Sequence, residues 1–133
     1  MARRILAVFA GLITAMATFL IIEQIGSVVY PPPTGLNFED KAAMKLFMES
    51  RPLGAYIIVI AGWLLGSLEA GFICHRISKH EGTLLPAILG GLLTASAVVN
   101  FYLLPHPAWF VVVGIVMFVP AVFMGWTLSR QMQ

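Results

Sequence analysis

Two carboxylates are the residues best placed to do chemistry, because each interrupts an apolar stretch: Glu23 within Ile5 to Val29, and Glu69 within Leu53 to Cys74. An ionisable side chain in lipid is costly, and it is kept where it is paired, hydrated or handles a proton or cation. Depth bears on which of these holds. Counting about 1.5 Å of rise per residue, Glu23 falls near the outer end of its stretch. Glu69 falls within about two turns of the inner end of its own. Neither reaches the midplane, and they lie toward opposite faces. Glu23 is expected within reach of Arg51 or His106, and Glu69 within reach of Arg4, Arg76 or Arg130. A structural or hydrated carboxylate is the plainer reading of each, and proton or cation handling the sharper one.

The remaining polar chemistry is thin. Cys74, His75, His80 and Glu81 gather at one link, but their spacing matches no zinc pattern. There is no nucleophile–base–orienter set, phosphate loop or cofactor fingerprint. The histidines are read at links, where none could ligate a haem inside a span. The sequence therefore assigns no catalytic residue, no cofactor and no metal. A single cysteine cannot form an internal disulfide. The net charge of +2 comes from basic residues beside apolar stretches. That pattern orients a chain in a bilayer rather than binding phosphates, and no nucleic-acid partner is expected.

These residues need elements to hold them. Of the 133 residues 59% are hydrophobic and 11% charged, against roughly 25% charged in an ordinary soluble domain. Lipid must be the solvent for much of this chain. A helix crosses hydrocarbon in roughly 20 apolar residues, which predicts spans at about 5–29, 53–74, 84–104 and 108–128 in a single domain, 1–133. The last two come from one stretch, Gly82 to Ser129, that has no charge. Pro105-His106-Pro107 must break it, since proline removes a helical donor and clashes with the preceding turn.

The expected fold is all-α: a polytopic bundle of four transmembrane helices with a short amphipathic helix in the first outer loop, about 30–52. In that loop Pro31-Pro32-Pro33 predicts a stiff extended step. Asn37 is read as the cap of the short helix, with Glu39 and Asp40 in its first turn. Met44, Phe47 and Met48 share its apolar face, and Pro52 ends it. Arg3, Arg4, Arg76, Lys79 and Arg130 all fall on one side of four crossings, which predicts both termini in the cytoplasm. Tyr30, Tyr56, Tyr102 and Trp109 fall at the outer boundary, as an interfacial belt would. The start also resembles a signal peptide, with Ala15-Met16-Ala17 as a cleavage-like triplet, but the apolar run continues well past it.

Small residues recur four apart: Ala7, Gly11 and Ala15; Gly62, Gly66 and Ala70; Ala87, Gly91 and Ala95. Such stripes let helices approach closely in lipid. They serve packing within the chain or, with Gly62 and Gly66 the best marked, contact with a second copy or another membrane protein. The segments Ala10–Ala17 and Gly90–Ala97 agree at five of eight positions, and Gly71 to Arg76 repeats the Gly125 to Arg130 spacing. Two tandem parallel hairpins would explain this, and chance likeness between apolar helices would explain it as well.

The stretch Glu23 to Pro33, the Pro52-Leu53-Gly54-Ala55 opening, and Pro105-His106-Pro107-Ala108-Trp109-Phe110 resemble a widespread family of small, uncharacterised four-span bacterial inner-membrane proteins. The Tyr-Pro-Pro-Pro and Pro-His-Pro-x-Trp elements carry the likeness, which covers nearly the whole chain. It implies a multi-pass protein of the bacterial plasma membrane and brings no activity. Glu23, Tyr30, Pro31, His106 and Trp109 match its pattern. Together with Arg51, Tyr30, His106 and Trp109 make a candidate outer-face cluster. Small multidrug exporters also have four short spans, but their acid sits in mid-membrane and they lack the long outer loop. The reading that follows is a non-enzymatic accessory or structural subunit acting through helix packing, with a homo-oligomeric transporter or channel using the carboxylates as the alternative.

Overall fold

A backbone amide in hydrocarbon has no water to bond, so each apolar stretch must satisfy its own hydrogen bonds as a helix. The computed structural model, which describes residues 1–79 and 81–133, has five helices among those residues and no strand. They are α1 (Ala2–Val29), α2 (Lys41–Ser50), α3 (Leu53–Ser78), α4 (Leu84–Leu103) and α5 (Ala108–Gln131). All but α2 are long and apolar enough to cross a membrane. The chain is a multi-pass integral membrane protein. Large apolar side chains such as Ile5, Phe9, Ile13, Leu20, Val99, Val112 and Val116 stand exposed on the outside of the bundle. In water that would be a very large sticky surface; against acyl chains it is the ordinary exterior.

α1 packs along α3, α4 along α5, and α3 joins the two pairs by crossing α5, whereas α1 and α4 barely meet. At one end lie both termini and the α3–α4 link. There Arg3 Nε donates to the Ile77 carbonyl at 2.5 Å, and Arg130 pairs with Glu81 at 2.8 Å with both side chains largely exposed. At the other end lie α2 and the Pro105–Pro107 link.

Small residues set the helix approaches, since packing rather than hydrophobicity drives association in lipid. Gly62 and Gly66 of α3 take Ile22 and Phe19 of α1 against their bare Cα atoms. Gly11 of α1 lies on the Ala70 carbonyl and Leu89, and Ala15 and Ala70 are fully buried. The α3–α5 crossing is closer still. A side chain at Gly71 would run into the Val122 carbonyl, and one at Gly125 would run into the Leu68 carbonyl. The contact is reciprocal: each glycine meets the residue three positions before the other. One turn further on, His75 Nδ1 lies 3.1 Å from Ser129 Oγ, a pair with the same sequence separation, 54 residues, as the two glycines. Around this crossing Leu89, Leu93, Phe118, Val122 and Trp126 form the main core.

Four details differ from the sequence reading. α3 runs to Ser78, a turn beyond Cys74, and stops where Lys79 takes a left-handed conformation (φ 50°). His75 therefore lies inside a helix, fully buried, rather than at a link. The cap of α2 is Asp40, whose carboxylate accepts from the Ala42 and Ala43 amides. Asn37 instead accepts from the Glu39 amide in a local turn; both side chains suit a cap, and the one adjoining the first helical residue holds it. Gly91 and Ala95 lie on the outward face of α4, and it is Gly90 that meets α5, at Val119.

Candidate functional site

The weak contact between α1 and α4 leaves space at the α2 end of the bundle, and α2 roofs it. The result is a cavity of about 410 Å³. Its walls are Phe19, Ile22, Val59, Trp63 and Leu104, its roof Met44, Phe47 and Met48, and its polar groups Glu23, Ser27, Tyr30, Arg51, Asn100 and His106. That volume is within the roughly 300–1,000 Å³ of small-molecule sites, which are typically apolar with a few convergent polar groups.

Local sequence explains how each group gets there. α2 is amphipathic, so Met44 and Met48 turn under it and are almost fully buried. No backbone of another helix comes close to α2, so side chains alone hold it down. The chief tie is Tyr56, whose hydroxyl donates to the Met48 carbonyl at 2.6 Å. Tyr56 is itself fixed by Phe110, Trp109 and the Arg51 guanidinium, which lies 5.5 Å from its ring centre. Pro52 forces the residue before it out of the helical region. Arg51 is accordingly extended (φ −66°, ψ 129°), which ends α2 and turns the guanidinium toward the cavity and Tyr56. Its Nε is buried and meets no hydrogen-bond partner.

Glu23 stands six residues before the end of α1, about 9 Å along the axis, and also lines the cavity. Glu23 and Arg51 share this space without pairing: among the described residues the ion pair is Arg130–Glu81. Ser27 donates to the Gln24 carbonyl of its own helix. Tyr30 lies on Gly54, where a side chain would collide with its hydroxyl; the glycine makes room for the ring at the start of α3.

His106 sits between the two prolines that end α4 and begin α5. Its Nδ1 is 2.8 Å from the Leu104 carbonyl, so Nδ1 carries hydrogen and donates, leaving Nε2 as the acceptor nitrogen of the neutral ring. The ring stacks on Phe110 at 5.1 Å and 8° and meets Phe101 edge-on. Burial holds its pKa below the usual histidine value; the Leu104 bond opposes this, and the Arg51 charge adds to it. Below His106 the rings of Phe101, Phe110, Trp63 and Phe118 continue as an aromatic wall.

Of the outer-face cluster, Tyr30, Arg51 and His106 line the cavity together with Glu23, while Trp109 lies outside it against Tyr56. Asn100 and Trp63 also line it, and only the gap between α1 and α4 brings them there. Glu69 lies elsewhere. It accepts from the Thr18 hydroxyl across the α1–α3 seam, while Arg76 lies over Phe72 and Arg130 on Glu81. At the other end Cys74 turns toward Gly11 and His75 toward α5, where its Nε2 has no partner. Among the described residues no three metal-ligating side chains gather, and His80 lies outside those residues.

Compared with protein-family models, curated proteins and solved structures, the chain matches none.

Proposed function

We propose that this protein is a non-enzymatic membrane subunit that works by binding, holding an amphiphilic molecule in the cavity beneath α2. The carrying observation is the make-up of that cavity. Apolar walls fit a chain or ring, and unpaired Glu23 and Arg51, with Asn100 and His106, offer a polar end at membrane-surface depth. The basic end of the bundle, with Arg3, Arg4, Arg76, Lys79 and Arg130, supports a cytoplasmic placement of both termini. With that orientation the cavity would open at the outer face, and the four-span family that the outer loop resembles would make the membrane a bacterial inner one. The test is native mass spectrometry of protein extracted in mild detergent. A single amphiphile should co-purify and should be lost when Ser27→Trp fills the cavity. A bare wild-type chain, or an adduct indifferent to Ser27→Trp, refutes the reading.

A second reading, an accessory subunit acting through helix packing, rests on α4. Ala87, Gly91 and Ala95 form an outward-facing small-residue row, and nothing lies within 4 Å of a side chain built at Gly91. Gly62 and Gly66 are already filled by α1, so Gly91→Leu with Ala95→Leu is the variant that tests a contact with a second copy or another membrane protein. An assembly in mild detergent that survives this variant intact removes the reading. The transport alternative would use Glu23 or Glu69, of which Glu23 lines the cavity. Equal ion flux in liposomes from wild type and the double Gln variant would exclude it.

A further inference from the structure

We infer that the occupant of the α2 cavity is a phospholipid whose headgroup carries both a phosphate and a primary ammonium, with Arg51 on the phosphate and Glu23 on the ammonium. This rests on the binding reading above and names its ligand class. The argument begins with charge. The cavity holds one guanidinium and one carboxylate that make no ion pair with each other. The Arg51 Nε is buried with no acceptor, and a buried donor left without a partner is unfavourable. A ligand that answers both groups must bring an anion and a cation together. A guanidinium suits phosphate oxygens through several N–H donors. A carboxylate suits an ammonium that still has hydrogens to donate, which a quaternary ammonium lacks.

Position and shape agree with this choice. Glu23, Arg51 and His106 lie where membrane-crossing helices end, the depth at which headgroups sit. Phe19, Ile22 and Leu104 line the cavity beside the weakly packed seam of α1 and α4, an apolar surface that suits an acyl chain. The Asn100 amide, which also lines the cavity, can donate to the ester carbonyls of the glycerol region. A purely anionic lipid would leave Glu23 facing negative charge. A choline lipid would leave it without a donor.

The experiment delipidates the purified full chain in detergent. It then offers an equimolar mixture of phosphatidylethanolamine, phosphatidylglycerol and phosphatidylcholine with the same acyl chains, and the retained lipid is read by native mass spectrometry. Wild type should keep the ethanolamine lipid about fivefold over either competitor, the discrimination expected of one partly exposed ion pair. Glu23→Gln should bring it down to the level of phosphatidylglycerol. Arg51→Gln should weaken all three lipids, and Arg51→Lys should restore part of the loss. If Arg51→Gln does not fold, Glu23→Gln decides alone, because Glu23 is exposed and supports no packing. Equal retention of the three lipids by wild type, still abolished by Ser27→Trp, overturns the headgroup assignment and leaves the binding reading standing. Retention no higher than in Ser27→Trp overturns the binding reading itself.

Discussion

Adding one methyl group at the α3–α5 crossing should be among the most damaging small changes to this protein. At Gly71 a new Cβ would lie 2.9 Å from the Trp126 amide nitrogen and closer still to the Val122 carbonyl; at Gly125 it would lie 3.0 Å from Leu68 Cα and closer to the Leu68 carbonyl. These obstacles are backbone, which cannot rotate away. The helices must part by on the order of 1 Å or more to regain ordinary contact, about 3.5 Å between carbons. Overpacking of this kind costs up to ~3 kcal/mol, and the better helix propensity of alanine returns ~1 kcal/mol. Each of Gly71→Ala and Gly125→Ala should therefore lose about 2 kcal/mol, or about 8 °C of melting midpoint at roughly 4 °C per kcal/mol. The pair should not add. Both methyl groups wedge the same two helices, so once the first has opened the seam the second finds it open, and the double variant should melt close to either single one. Gly91→Ala is the control, because open space surrounds it, and it should be neutral or slightly stabilising. Melting is followed by intrinsic fluorescence in one detergent. A neutral Gly71→Ala or Gly125→Ala, or a double variant that loses the full sum, refutes the backbone-on-backbone account.

Three further outcomes are expected. Tyr56→Phe removes the buried hydroxyl that bonds the Met48 carbonyl and should cost about 1 kcal/mol; limited proteolysis should then cut α2 faster while the transmembrane helices stay protected, and an unchanged cleavage rate would count against side chains alone holding the roof. Asp40→Ala should release the Ala42 and Ala43 amides, with the ~1 kcal/mol loss of a cap confined to α2: hydrogen exchange should quicken there with the global melt unmoved. For His106, burial and Arg51 hold the folded pKa below the ordinary 6.5, so the unfolded chain takes up a proton first as pH falls. Its contribution to stability is full above pH 6.5 and lost as pH falls through the folded pKa. The drop in melting midpoint on acidification should shrink in His106→Gln, and an identical pH profile in the two proteins would contradict this.

What the sequence made legible was the number of crossings and the place where the chain must turn. Charge-free length and the two prolines around His106 dictate both, because lipid leaves the backbone no alternative to helix. Which face of each helix turns inward was not legible. In a soluble helix the apolar stripe marks the buried side, but here lipid and core are both apolar, so Gly91 and Gly90 look alike in sequence while one faces outward and the other meets Val119. Glu23, Tyr30, Arg51 and His106 could be grouped because polar residues are rare enough to stand out. Asn100 is polar too, but that it joins this group, as Trp63 does, follows only from the gap between α1 and α4. The spacing shared by Gly71 and Gly125 was visible, and only the crossing shows that the two glycines answer each other. The cap of α2 fell three residues from the expected Asn37 because Asn37 and Asp40 carry equally suitable oxygens.

The contact between His75 and Ser129 has a consequence for how α3 and α5 are held in register. The glycines beside it let α3 and α5 approach closely, but a bare glycine offers no side chain to stop one helix sliding along the other. The imidazole and the hydroxyl do offer one. They lie 3.1 Å apart and are fully buried, and a slip of one helical turn, about 5.4 Å, would separate them and strand two polar groups away from water. This one bond therefore acts as an axial stop, setting the register of a seam whose closeness the glycines allow.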